Sequence, residues 1–239
     1  MWEAKVDGRV LHFHLAGINN QNFIMRDDET GTWWQQVTGK AIQGPLQGRQ
    51  LKEVFHDELS FGIWKRERPQ GRVLKPDARI ASANEYEKSD WETSVGRMRV
   101  VDGTDIDRRL EPRTLVMGVA AGGKAVAYPL PALQKQSPII DVVGSVPIVI
   151  VLGDDNRSVR AFERTVDGRR LEFFRKTDAH DTTEQLVDAE TGSTWDFEGR
   201  AVGGPLSGHE LKQVFVLEDY WFDWRLYHPD TTIYSVGPR

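Results

Sequence analysis

The 239-residue sequence lacks cysteine, long apolar runs and an excess of basic residues. The absence of cysteine excludes disulfide bonds and thiolate chemistry in this chain, but it does not settle the cellular compartment. The longest apolar stretch, Val146–Leu152, is far shorter than the roughly 18 residues of a membrane-spanning helix and predicts a buried strand. The formal net charge of -5 argues against nucleic acid as a partner, because non-specific binding requires a basic surface.

The commonest catalytic signatures are also absent. The sequence contains no G-x-S-x-G nucleophile elbow, no Walker loop, no G-x-G-x-x-G turn and no H-E-x-x-H zinc motif. The first residues, Met1–Lys5, lack the apolar core of a signal peptide, so a cytoplasmic location stays open. With 39% hydrophobic and 28% charged residues, the chain is typical of a globular protein, and we favour a non-enzymatic role that requires no cofactor.

An internal duplication is the strongest pattern in the sequence. Residues 39–55 and 199–215 are identical at 10 of 17 aligned positions, counted directly, where unrelated chains would share about one. The two copies span residues 6–74 and 166–234, and further matches join Val6–Arg9 with Val166–Arg169, Trp34 with Trp195, Trp64 with Trp224 and Pro69 with Pro229.

The duplication predicts the domain organisation. We expect an incomplete first β unit at residues 1–76, a linker or embellishing segment at 77–113 and a complete second β unit at 114–239. Residues 114–151 predict three strands that have no counterpart in the first copy. If each copy needs them, the first has an unfilled sheet edge, and bare edges invite pairing. We expect residues 77–113, the second unit, a protein partner or self-association to cover that edge.

Turn signals and short apolar runs predict the fold class. The Asp-Gly step in Val6–Arg9 is typical of a hairpin turn, and the Asp-x-Glu-Thr-Gly segments predict a second hairpin loop in each copy. Aromatic residues at 221, 224 and 227 predict a short helix that ends before Pro229. The prediction is an all-β fold of duplicated sandwich or barrel-like units, with one short helix per unit.

His12 and His14 are the sharpest metal-like feature. Residues i and i+2 of a strand point to the same side, so two imidazoles can share one ion. The second copy has Glu172 and Phe174 at the matching positions, which favours an ordinary half-exposed strand. A metal cofactor therefore stays an open alternative.

The candidate ligand-binding residues are tryptophans and the acidic loop. Trp34, Trp64, Trp195 and Trp224 occur in both copies, so we expect them in the core. Trp2, Trp33, Trp91 and Trp221 are unmatched and are better candidates for surface roles, where aromatic rings form binding platforms. Turn chemistry explains the acidic loop more simply than calcium does, because it lacks the alternating ligands of an EF-hand. The candidate ligand-binding residues are Trp33, Trp221, Asp27 and Glu29.

The combined motifs resemble a known bacterial family. The pattern D-x-E-T-G-[ST]-x-W, the run G-x-A-[IV]-x-G-P-L-x-G and the closing W-x-x-W resemble "domain of unknown function 3179" proteins across nearly the whole chain. The resemblance implies an exported protein of the periplasm or cell surface, with no established activity. Family members usually carry an N-terminal cysteine pair, which this cysteine-free chain lacks, so no role based on that pair is expected.

The sequence leaves the function unknown, and three readings remain. The leading one is a non-catalytic binding or structural module of an exported bacterial protein. The second is a metal-dependent or carbohydrate-active enzyme, which depends on His12, His14 and the acidic loops. The third is an accessory subunit of a larger cell-envelope complex, suggested by the unmatched tryptophans.

Overall fold

The computed structural model describes residues 1–19, 22–75, 77–78, 90–98, 100, 107–176 and 186–237. Strands make up 40% and helices 13% of the described residues, so the prediction of an all-β fold with short helices is confirmed. The sheets of the described residues are antiparallel apart from one parallel pair, and none of them closes into a barrel. No helix in these ranges is long and apolar enough to cross a membrane.

The chain divides into two compact units. Among the described residues, the first contains those of Met1–Asp57 and the second contains those from 58 onward. Residues 79–89, 99 and 101–106 of the predicted linker lie outside the described ranges, so its proposed role in covering a sheet edge stays a prediction.

The first unit contains two antiparallel sheets. Strands β1 and β2 form a hairpin, and β3, β4, β5 and β6 form a meander in that order. Their bounds are β1 Lys5–Val6, β2 Arg9–Val10, β3 Phe13–Asn19, β4 Asn22–Asp27, β5 Trp33–Gln35 and β6 Ala41–Gln43. The core of this unit is built around Trp34, which is fully buried, with Leu11 and Leu51 packed in the same cluster.

The predicted hairpin turn at Val6–Arg9 is confirmed. Asp7 and Gly8 have φ values of 48° and 80°, and Val6 pairs directly with Arg9. Positive φ at both central residues defines the turn that matches the natural twist of two strands, and Asp-Gly tolerates it well. Asp167 and Gly168 repeat it in the second unit, with φ values of 48° and 75°.

The second unit contains fourteen named strands and four short helices among its described residues. The strands are β7 Leu115–Ala121, β8 Lys124–Pro129, β9 Ile139–Val143, β10 Val146–Leu152, β11 Val159–Glu163, β12 Thr165–Val166, β13 Arg169–Arg170, β14 Phe173–Arg175, β15 Leu186–Asp188, β16 Thr194–Trp195, β17 Ala201–Gly203, β18 Lys212–Val214, β19 Leu217–Tyr220 and β20 Thr232–Ile233. The helices are α1 Phe61–Glu67, α2 Trp91–Arg97, α3 Leu130–Lys135 and α4 Trp221–Tyr227.

Three four-stranded sheets organise the second unit. Their strand orders are β18-β11-β10-β9, β14-β15-β16-β17 and β19-β7-β8-β20, and β12-β13 forms a separate hairpin. The three strands predicted within residues 114–151 are confirmed as β7, β8 and β10, with β9 and α3 in addition. The central strand β10 is apolar along its length because it lies between two neighbours and is buried over most of that length.

Two helices pack on this unit through different side chains. Helix α1 buries Ile63 against a cluster that includes Val149 and Phe162, and its Glu67 forms a two-bond ion pair with buried Arg160 at 2.7 and 2.8 Å. Helix α4 instead buries Trp221 and Trp224 against β7 and β8. Helix α1 falls within residues 1–76 of the predicted first β unit, and its packing partners belong to the second compact unit.

Candidate functional site

The acidic loop of the first unit is a structural anchor. Asp27 is only 1% exposed and accepts hydrogen bonds from the Thr30 backbone at 2.6 Å and the Trp34 indole at 2.7 Å. Burial by itself raises the pKa of Asp27, but the bonds from Trp34 and Thr30 outweigh it and lower the pKa overall. Through these bonds the carboxylate holds the loop and the core tryptophan together.

The second unit contains the same arrangement. Asp188 accepts bonds from the Thr191 backbone at 2.6 Å and from the Trp195 indole at 2.9 Å. Glu29 and Glu190 also match, since each accepts a backbone N–H from the preceding strand region at 2.9 Å. Asp27 and Glu29 therefore have internal partners that explain why these residue types stand in both loops.

The two histidines lie at the surface beside carboxylates. The His12 ring contacts Glu29 at 2.6 Å, and the His14 ring contacts Asp28 at 2.8 Å. The hydrogen bond and charge of Glu29 raise the pKa of His12. Within the described residues, no group of three or more His, Cys, Asp or Glu side chains is arranged to hold a metal ion. The metal site at His12 and His14 stays a prediction.

The two candidate tryptophans lie in different environments. Trp33 is half-buried on β5, and its ring would lie 3.7 Å from a Cβ built on Gly17. Trp221 is completely buried, and its indole donates to the Asp107 carbonyl at 3.2 Å. The expectation that Trp221 lies at the surface is therefore wrong, because it is the first residue of α4 and packs into the core. The side chain of Trp91 lies outside the described part of the chain.

A pair of neighbouring carboxyl groups in the second unit, half-buried Asp219 and buried Asp223, could not be recognised from the pattern of a single copy. Asp219 lies in β19, two residues before the start of α4, and Asp223 lies in the first turn of that helix, where it is only 9% exposed. Burial, together with the charges of Asp223 and Glu58, raises the pKa of Asp219 to about 8, although the hydrogen bond from the Tyr220 backbone N–H lowers it. The pair therefore holds a proton at neutral pH.

The two acids of this pair can be recognised when the two copies are aligned. With Glu218 aligned on Glu58, Asp219 and Asp223 stand where the first copy has Leu59 and Ile63. Leu59 and Ile63 pack into an apolar core, as their residue types predict. Two acids at positions that the duplicated scaffold fills with apolar side chains are costly to bury, which points to a specific role for this pair.

Asp219 lines a cavity of about 620 Å³. Glu218 lies beside it and contacts the Arg157 guanidinium at 3.2 Å, so the polar wall contains both charge signs. The Arg113 guanidinium lies over the ring of Tyr220 at 5.2 Å and holds that ring in place. The cavity is lined by Thr93, Val95, Leu115, Arg157, Glu218, Asp219 and Tyr220.

The site can bind a polar ligand and exchange a proton with it. A protonated Asp219 can donate a hydrogen bond, and an ionised Asp219 can pair with a cation. More carboxyl groups than cations lie near the cavity. In addition to the carboxyl groups that line it, the charges of Glu58 and Asp223 lie close enough to raise the pKa of Asp219. This balance favours a cationic group over an anionic one.

The comparisons with known proteins give a family and no function. The family model described as "Protein of unknown function (DUF3179)" matches residues 1–231. Neither the curated proteins nor the solved structures include a match to this chain.

Proposed function

Because this chain belongs to the family described as "Protein of unknown function (DUF3179)", we propose its function from its own geometry: it is a non-catalytic binding module. The ligand occupies the cavity beside Asp219 in the second unit and is a small molecule with an ammonium or similar cationic group. The observation that carries the proposal is the half-buried Asp219, whose pKa is raised beside buried Asp223, on the wall of a cavity of about 620 Å³. A volume of this size suits a small organic ligand.

Matches between the two copies distinguish residues of the shared scaffold from residues of the candidate site. The bonds of Asp27 to Trp34 and of Asp188 to Trp195 are alike, which fits a scaffold that arose by duplication. The carboxyl pair belongs to one copy only. A feature that the shared scaffold does not need is the better candidate for a ligand-specific role.

Proton release accompanies binding in this proposal. Asp219 carries a proton at pH 7, and a cation in the cavity favours its ionised form. Binding therefore displaces a proton into solution, and affinity increases as the pH rises toward about 8. An ionised Asp219 facing an ammonium group satisfies two charges that would each be unfavourable alone in a partly desolvated site.

The test uses primary amines as probes, with alcohols of the same carbon skeleton as neutral controls. We expect amines to raise the melting temperature of the wild-type protein and alcohols not to do so. Calorimetry at pH 7 in two buffers of different ionisation enthalpy should reveal proton release on amine binding.

Two variants make the test specific. Asp219→Asn keeps the shape of the side chain but cannot ionise, so it should lose the response to amines. Asp230→Asn changes an exposed carboxylate of the same unit and should keep it. The proposal is refuted if amines at millimolar concentration leave the wild type unchanged, or if Asp219→Asn responds as the wild type does.

A further inference from the structure

Three residues that line the cavity belong to β19, the strand at one edge of its sheet. The Glu58 carboxylate accepts the backbone N–H of Glu218 at 3.1 Å. The Asp219 carboxyl group accepts the backbone N–H of Tyr220 at 2.7 Å. In an antiparallel pair, alternate residues direct their N–H groups away from the partner strand. The bond from Tyr220 therefore holds the Asp219 carboxyl group beside the outer edge of β19.

A guanidinium group lies on the wall of the same cavity. Arg157 donates a hydrogen bond to Glu218 at 3.2 Å, which is longer than a typical charge-assisted bond of about 2.7–2.9 Å. The Arg157 side chain is 47% exposed, so the pair is of the kind that contributes little to stability. A ligand carboxylate can therefore take over this contact at a small cost.

The turn that carries Arg157 is fixed by hydrogen bonds. Asp155 accepts the backbone N–H groups of Arg157 at 3.1 Å and of Ser158 at 2.8 Å. Asn156, between them, has a φ of 59°, and its carbonyl accepts a bond from the Gln134 side chain of α3 at 3.2 Å. Because the backbone at Arg157 is already ordered, a ligand that binds there loses little free energy in ordering it.

Apolar groups complete the cavity wall. Val95 of α2, Leu115 at the start of β7 and the ring of Tyr220 line the cavity, and all three residues are half-buried. A ligand that covers such surface gains free energy, because apolar area is removed from water. The cavity thus offers a place for methylene groups as well as for two opposite charges.

The charges around the cavity distinguish between classes of ligand. An anion alone would meet Asp219 together with the charges of Asp223 and Glu58. A simple amine provides a partner for Asp219 but makes no use of Arg157. A molecule with an ammonium and a carboxylate group provides a partner for each and adds no net charge to an acidic site. Two opposite charges on one ligand therefore match this wall better than either charge alone.

We propose that the ligand is an amino acid whose ammonium group binds Asp219 and whose carboxylate binds Arg157. The assignment rests on the proposed function, because the ligand occupies the same cavity. A guanidinium presents N–H donors in a planar fork that matches both oxygens of a carboxylate. The methylene groups of the amino acid contact Val95 and Leu115.

The probes are two isomeric amino acids, norleucine and 6-aminohexanoate, which separate the same two charges by different distances. Their amides are the matched controls, since each keeps the ammonium group and the carbon skeleton but lacks the carboxylate. In calorimetric titration of the full chain at pH 7, we expect one or both amino acids to bind at least about tenfold more tightly than the corresponding amide, because the carboxylate adds a charged hydrogen bond.

Two variants locate the carboxylate. Arg157→Gln should abolish the preference for the amino acid over its amide, whereas Arg169→Gln changes an exposed arginine of the same unit and should keep it. Equal affinity of the wild type for each amino acid and its amide would overturn the proposal, although binding of the amides would still support the proposed function. A preference that Arg157→Gln retains would also overturn it. If neither the amino acids nor the amides bind, the proposed function itself fails.

Discussion

Replacement of Asp188 should destabilise the second unit strongly. The side chain is 1% exposed and accepts hydrogen bonds from the Thr191 backbone at 2.6 Å and the Trp195 indole at 2.9 Å. A bond to a charged group contributes about 1.5–3 kcal/mol, so two of them give about 3–6 kcal/mol for Asp188→Ala. Asp188→Asn retains one acceptor oxygen, and we expect about half that loss. Either value is a large part of a typical total stability of about 5–15 kcal/mol.

The assay is urea denaturation followed by tryptophan fluorescence and circular dichroism, with Asp230→Asn as the exposed control. Asp27→Ala is the matched change in the first unit and should cause a comparable loss there, because Asp27 makes the same bonds to Thr30 and Trp34. A loss below about 1 kcal/mol for Asp188→Ala would refute the assignment of these bonds as an anchor.

The pH dependence of the same variant has a definite sign. The hydrogen bonds to Asp188 outweigh burial and hold its pKa below the ordinary value of 3.8. The ionised carboxylate therefore stabilises the fold above that pH, and this contribution is lost as the pH falls through the lower folded pKa. Asp188→Asn lacks the titrating group, so the difference between wild type and variant should shrink in acid. A difference that stays constant between pH 7 and pH 2 would contradict this account.

Gly118→Ala should cost at least about 1–3 kcal/mol in urea denaturation, because the added Cβ would lie 2.2 Å from the buried Trp224 ring. An unchanged midpoint would argue against this packing. Because the pKa of Asp219 is raised from 3.8 to about 8 in the folded state, wild-type stability falls as the pH rises between these two values and levels off above about 8. Asp219→Asn should remove that loss, and parallel curves for both proteins from pH 6 to pH 9 would exclude it. Zinc should not raise the melting temperature more than magnesium does, since His12 and His14 already bind carboxylates. A saturable zinc shift that His12→Ala abolishes would establish the metal site instead.

The sequence by itself determined the parts of the fold that depend on local geometry. The Asp-Gly step at Asp7 predicts a turn with positive φ, and the structure has that turn in both units. The strands within residues 114–151 and the helix before Pro229 also follow from short-range patterns of apolar and aromatic residues. Such features could be predicted because each depends on residues that are close together in the chain.

Only the tertiary structure decided where the polar chemistry lies. Asp27 was a candidate ligand by residue type, but its bonds to Thr30 and Trp34 make it an anchor of the core. The pattern around Asp219 does not indicate a site, because it is that of an ordinary strand leading into a helix. Its raised pKa arises from burial beside Asp223 and from Glu58, which precedes it by 161 residues in the chain. The pKa of a carboxyl group is set by its three-dimensional surroundings. The duplicated sequence could therefore predict the shared scaffold, whereas the position of the candidate site depends on the tertiary structure.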